Sequence, residues 1–245
     1  MSVEVLRGAV SAPTTTVLSL DIFDTVVLRD GTTQVFRFVE AAELAAERLG
    51  VDPAPLTAMR LLSHDNAYRA IQMERPGADA RFSALCEAAT APLGLGAHGA
   101  AVLAECELEA DIARLKPNPR ALAMIAEARE RGMRVIAVSD TWYSAGDVER
   151  LLLSVLGEQP FDAIYTSSDV GASKHGGGIF DRVAVLEGRE SLEFIHVGDT
   201  LDADLENPSA AGWGAAHVPR SRWHDLVRLS WKIRTLPMQA RVGHS

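Results

Sequence analysis

The chain has 245 residues, 47% hydrophobic and 23% charged, which is enough to bury one large core, with or without an insertion, and excludes wholesale disorder. Thirty-three acidic residues against 24 basic ones give a formal net charge of −9, which argues against a nucleic-acid or anionic-membrane partner. Two cysteines, Cys86 and Cys106, are too few for a disulfide framework, and no stretch approaches the ~20 apolar residues that span a bilayer.

Met1 to Pro13 holds no long apolar run, so it makes a poor signal peptide and a cytoplasmic location is expected. The first strand is the β-branched and apolar run from Thr16 to Leu20. From Gln34 to Lys116 the pattern is helical. Val35, Phe36, Val39, Leu44 and Leu49 fit one amphipathic helix that stops at Gly50. Further helices are predicted from Leu56 to Met73, Arg81 to Ala91 and Ala100 to Leu115. Gly94 to Gly99 spells G-x-G-x-x-G, but it follows a helix rather than a strand and reads as a helix–helix loop.

After Lys116-Pro117-Asn118-Pro119 the rhythm changes. Helices from Arg120 to Arg131, Asp147 to Leu156 and Ile179 to Leu186 alternate with apolar strands at 134–138, 163–165, 194–197 and 215–218, with a short helix from Leu201. That alternation predicts an α/β fold with a Rossmann-like parallel sheet buried on both faces. One strand precedes the helical block and four follow it. The expected domains are therefore an α/β core at 1–29 and 117–245 and a helical insertion at 30–116, placed where open α/β sheets bind ligands. The tail from Trp223 reads as a terminal helix with a frayed end. Nothing in the sequence specifies an oligomeric state.

Each core strand is followed by something polar. Asp21-Ile22-Phe23-Asp24-Thr25 follows the first strand, and Ser139, Asp140 and Thr141 follow the second. Lys174 lies in the loop after the third, and Gly198-Asp199 with Asp202 and Asp204 follows the fourth. Carboxylates, a hydroxyl and a lysine at one sheet edge can hold a hard cation and an anionic group together. Asp140 is a candidate for orienting its own loop, Asp202 reads as solvated, and Trp142 and Tyr143 as packing residues. His196 and His217 read as hydrogen-bonded strand residues, and Gly176-Gly177-Gly178 as a turn before a helix.

In order and spacing these elements resemble the four motifs of the haloacid dehalogenase superfamily, over residues 16 to 218: Leu20-Asp21, Val138-Ser139, Lys174, and Gly198-Asp199 with Asp204. The insertion resembles that family's C1 cap, and Lys116 to Pro119 its return hinge. The resemblance implies a hydrolase, most simply a phosphatase acting on a small phosphorylated metabolite, with Asp21 as nucleophile. Ser139 would hold a phosphoryl oxygen, and Lys174 would bridge Asp21 and the substrate. It further implies Mg²⁺ held by Asp21, the Phe23 carbonyl and Asp199, with Asp204 as a ligand directly or through water. A carboxylate can attack phosphorus once both charges are neutralised, and so split one hard displacement into two.

One position departs from the pattern. Phosphatases of this superfamily carry a second Asp two residues after the nucleophile as general acid; here that residue is Phe23, and Asp24 comes one step later. General-acid help is worth typically about 10²–10⁴-fold. Either Asp24 replaces the missing acid, or a residue of the insertion or a water does so. Alternatively the substrate carries a good leaving group, as an acyl phosphate does, or the reaction is of the dehalogenase type. A phospho-ligand binder with weak turnover is the remaining alternative.

Overall fold

A computed structural model describes residues 15–75, 77–220, 226, 227 and 229–233. Among these, seven strands form: β1 (Val17–Leu20), β2 (Val27–Arg29), β3 (Leu115–Pro117), β4 (Arg134–Ser139), β5 (Ala163–Thr166), β6 (Phe194–Gly198) and β7 (Gly214–His217). Five make one sheet in the order β5-β4-β1-β6-β7, and every pairing is parallel. This is the Rossmann-like α/β fold expected from the alternation of helices and strands. The chain divides into two compact units. One is α/β, built from residues 15–28, Arg75–Asp79 and Lys116–Arg220; the other is helical, built from Arg29–Glu74 and Ala80–Leu115 with the described tail residues.

In the α/β unit, β1 lies at the centre with β4 and β6 on either side. The pairings Leu20↔Ala137 and Leu20↔Val197 bring three carboxyl ends level. The central strands are apolar because both faces are covered: Val17, Leu18, Leu20, Ile136, Val138 and Ile195 are all buried. One face carries Phe180, Val183, Phe194 and Trp213, with the last two rings stacked at 4.0 Å. Helices at Pro119–Glu130, Ala145–Leu156 and Ile179–Glu187 supply the connections. Asn118, Ser144 and Gly178 stand at their N-termini, and a capping box between Ser144 and Asp147 closes the second.

The helical unit contains α1 (Gln34–Leu49), α2 (Pro53–Glu74), α3 (Phe82–Thr90) and α4 (Gly96–Ile112). Thr33 caps α1 by accepting from the Phe36 amide, and Gly50 ends it in a left-handed conformation. Its buried stripe is Phe38, Ala41, Ala42, Ala45 and Ala46, packed against α2 and α4. Two ion pairs cross the interior: Arg60 to Glu107 at 2.7 Å, with Arg60 over the Phe38 ring, and Arg37 to Asp111 at 2.7 Å.

Three elements depart from the sequence-based expectation. The fourth helix of the insertion runs from Gly96 to Ile112 rather than 100–115, so of the G-x-G-x-x-G run only Gly94, left-handed, and Leu95 link two helical elements, while Gly96 to Gly99 form the first turn of the helix. Leu115–Pro117 is a strand paired with Val27–Arg29, and three residues on each side are too few to show a period. Asp202–Glu206 forms a π-helical turn that continues as an α-helical turn, Asn207–Ala210. No described helix is long and apolar enough to cross a membrane. Of the predicted terminal helix, residues 226, 227 and 229–233 are helical and the rest lies outside the described residues.

Candidate active site

Asp21 follows β1 directly, and its amide donates to the Val197 carbonyl at 2.9 Å, which continues the ladder one residue past the strand. Its carboxylate is buried and held from two sides. Ser139 Oγ, at the end of β4, donates to Oδ1 at 3.1 Å, and Thr25 Oγ1 donates to Oδ2 at 3.2 Å. Ser139 therefore faces the carboxylate rather than capping a turn. The turn after Asp21 is fastened twice by Asn118, whose backbone amide reaches the Val26 carbonyl and whose side chain reaches that of Thr25.

Lys174 comes from a loop, yet its ammonium is buried and fixed. Nζ lies 2.7 Å from Asp21 Oδ1 and 2.5 Å from Asp204 Oδ1. Asp140 holds the loop itself: its carboxylate accepts from the Lys174 amide at 2.6 Å and the His175 amide at 3.1 Å. The Lys174 carbonyl accepts from the Asn207 side chain at 2.6 Å. Tyr143 is fully buried, its ring 6.4 Å from that of Phe23 and 5.6 Å from that of Trp142, and Asp202 is exposed.

Asp204 reaches the site from the π-helical turn after β6. Its Oδ1 receives Lys174 and lies 3.1 Å from His196 Nε2, while Oδ2 accepts from the Thr200 amide at 2.8 Å. His196, on β6, contacts Ser19 Oγ through Nδ1 at 2.8 Å, so a buried chain of polar groups backs the carboxylates. Gly198 is required by this packing. A Cβ there would overlap Asp204 Cγ, Oδ2 and Cβ, so any side chain would displace the carboxylate.

Asp199 caps the end of β6. One oxygen each of Asp21, Asp199 and Asp204 lie within 4.8 Å of one another, a set of hard donors able to hold a hard cation. Asp24 meets this cluster through Arg220. Its φ of 65° makes it the one non-glycine residue with positive φ among those described, and its amide donates to the Val27 carbonyl at 2.7 Å. The Asp24 carboxylate lies 3.4 Å from Arg220 Nη2, and Arg220 Nε donates to Asp199 Oδ2. Arg220 carries no signal in the sequence, being a single arginine after the last strand.

Burial raises the proton affinity of Asp21, with Lys174 opposing and Asp204 adding to the rise. Burial works against the Lys174 charge, but Asp21, Asp204 and Asp140 outweigh it and hold the ammonium far above the ordinary lysine range. Asp204 is likewise buried, yet Lys174 and His196 keep its carboxyl well below the usual carboxylate range. Burial and the neighbouring Asp21 charge push Asp199 up to about 6, against the pull of Arg220. Burial keeps His196 below its ordinary value, against the pull of Asp204.

A sequence profile described as haloacid dehalogenase-like hydrolase matches residues 15–212. The chain belongs to this family. A curated relative of the hydrolase, the glyceraldehyde 3-phosphate phosphatase of Methanopyrus kandleri, is 28% identical over 114 residues, 46% of this chain and 48% of that one. The chain thus spans about half the length of that relative. Among solved structures, a defluorinating L-2-haloacid dehalogenase superposes with a TM-score of 0.55 at 17% identity, covering 86% of this chain and 83% of that one. The L-2-haloacid dehalogenase of Xanthobacter autotrophicus with chloropropionic acid covalently bound gives 0.51 at 17% identity, covering 87% and 81%. At such identities these two show the shared fold of the hydrolase and nothing of its substrate.

Proposed function

We propose that this hydrolase is a Mg²⁺-dependent phosphatase of small phosphorylated metabolites, working through an aspartyl-phosphate on Asp21. The observation that carries it is the buried Lys174 ammonium, 2.7 Å from Asp21 and 2.5 Å from Asp204, beside Asp199. The phosphatase named among its relatives supports the same reaction class. Asp21, the Phe23 carbonyl and Asp199 would hold the ion, and Asp204 would act through water, because its oxygens already serve Lys174, His196 and Thr200. An oxygen-only donor set suits Mg²⁺. When bound, Mg²⁺ supplies a Lewis acid that neutralises charge on the nucleophile and the phosphoryl group.

An Asp21 oxygen attacks phosphorus, the bond to the leaving oxygen breaks, and that oxygen departs with the electron pair. Water then attacks phosphorus, the Asp21–phosphorus bond breaks and phosphate is released. Ser139 donates to a phosphoryl oxygen, and Lys174 screens the repulsion between the Asp21 carboxylate and the anionic substrate. The catalytic group we assign is Asp21, Ser139 and Lys174, with Asp24 beside them as the acidic residue nearest the missing general acid. A carboxylate held by a guanidinium is an acceptor, whereas a general acid must arrive carrying a proton. The pairing of Asp24 with Arg220 therefore favours substrates whose leaving group needs little protonation, acyl phosphates above all. Residues 30–116 would serve as a C1 cap that carries specificity.

The test is steady-state hydrolysis of acetyl phosphate and para-nitrophenyl phosphate, with and without Mg²⁺, for the wild type and Asp21→Asn. Mg²⁺-dependent turnover that favours acetyl phosphate and disappears in Asp21→Asn is the expected result. Metal-independent release of halide from a 2-haloacid, with neither phosphate ester nor acyl phosphate consumed, would place the protein with the dehalogenases instead.

A further inference from the structure

Arg220 follows β7, and its guanidinium spans two carboxylates: Nε donates to Asp199 Oδ2, and Nη2 lies 3.4 Å from Asp24 Oδ2. Both acids are almost fully buried, with side chains 3% and 4% exposed, whereas the arginine side chain is 22% exposed. Asp24 occupies a left-handed backbone conformation, φ 65°, that glycine would adopt freely and that strains an ordinary side chain. A carboxylate kept at a strained position, with an arginine for partner, points to a use for that pair.

Charge balance indicates the use. Four carboxyl groups, Asp21, Asp24, Asp199 and Asp204, share two side-chain cations, Lys174 and Arg220. Oxygens of Asp21, Asp199 and Asp204 lie within 4.8 Å of one another, the kind of donor set a divalent ion accepts. Of the two internal cations, Lys174 is enclosed and tied through Asp140, Asn207 and two carboxylates. Arg220, with its side chain 22% exposed, is the one of the two that partly faces water.

We propose that Arg220 is a placeholder cation. It holds Asp199 while the divalent ion is absent and releases Asp199 as the ion arrives, so ion binding and arginine release form one equilibrium. This inference rests on the divalent-cation reading of the site given above. It assigns Asp24 as the anchor that positions Arg220, and it makes the metal affinity of the hydrolase a property of a residue outside the four family motifs. Reciprocity follows: whatever holds Arg220 on Asp199 weakens the ion by the same factor.

Two measurements test it. In calorimetric titration with Mg²⁺ alone, Arg220→Gln is expected to bind at least about tenfold more tightly than wild type, since a positive charge close to the ion has been removed. In wild type labelled with ¹⁵N-arginine, one hydrogen-bonded Nε–Hε resonance is expected to move as Mg²⁺ is added, with the calorimetric midpoint. The first reads the charge and the second the release, and the second needs no variant that must fold. Mg²⁺ binding by both proteins with equal or weaker affinity in Arg220→Gln, or binding with no arginine resonance moving, overturns the placeholder role alone. Absence of Mg²⁺ binding by either protein overturns the cation reading, and this inference with it.

Discussion

Lys174 Nζ stands 2.7 Å from Asp21 Oδ1, and the same ammonium reaches Asp204 at 2.5 Å, so one buried cation joins the end of the central strand to the turn after β6. Removing one partner of a buried ion pair leaves an uncompensated charge, typically at about 3–5 kcal/mol. In Lys174→Met two carboxylates would face each other out of water. Urea unfolding is expected to show a loss in that range, and phosphatase turnover to fall by at least roughly 10²–10³-fold. Retention of most activity would remove Lys174 from the mechanism.

Gly198→Ala tests the packing that places Asp204. The added methyl would overlap Asp204 Cγ and Oδ2, so the carboxylate must move away from Lys174 and His196. The expected cost is about 1–3 kcal/mol of stability, as for other forced overpacking, together with loss of Mg²⁺-dependent turnover. Wild-type melting and activity in Gly198→Ala would contradict the placement of Asp204.

Asp140 acts on Lys174 through the backbone. Without its carboxylate the Lys174 and His175 amides lose charged acceptors, each hydrogen bond worth about 1.5–3 kcal/mol. Asp140→Ala is expected to lower kcat roughly tenfold or more with KM little changed. Asp140→Asn should recover part of kcat, because its amide oxygen can still accept from one of the two groups. A purely structural role would instead move stability in both variants and leave kcat alone.

The helical unit carries its own pH dependence at His64, which lies against Phe38 and Tyr68 beside Arg60. Burial and the Arg60 charge lower its pKa from 6.5 to about 4. The unfolded chain takes up this proton near 6.5 and the folded chain near 4, so between those values the unfolded state binds more protons. Stability from this group is therefore complete above about pH 6.5 and is lost as pH falls towards 4. Melting temperatures from pH 7 to 4 should fall less steeply for His64→Gln than for wild type. Parallel slopes would show that the imidazole does not titrate in this window.

Much of this arrangement is legible in the sequence. The α/β fold follows from short apolar strands alternating with helices, and Asp21, Ser139, Lys174, Asp199 and Asp204 stand out because each follows a strand end. The contacts of Asp24 are not legible, since they depend on a left-handed φ and on Arg220, which lies 196 residues along the chain. Asp140 is legible as a loop-orienting residue, but the loop it holds is that of Lys174 and His175, and Asn118 likewise acts on distant backbone groups, partners that leave no trace in residue order. The β2–β3 pair is hidden for a related reason: with three residues in each strand, only pairing defines it.

The central claim is that Asp21 becomes phosphorylated. Its most direct test is rapid mixing of the Mg²⁺-loaded hydrolase with acetyl phosphate, acid quench, borohydride reduction and peptide mass analysis. An aspartyl-phosphate is reduced to an alcohol, so homoserine at position 21 is the expected result. Turnover of acetyl phosphate with an unreduced Asp21, or with the reduced residue elsewhere in the chain, would contradict it.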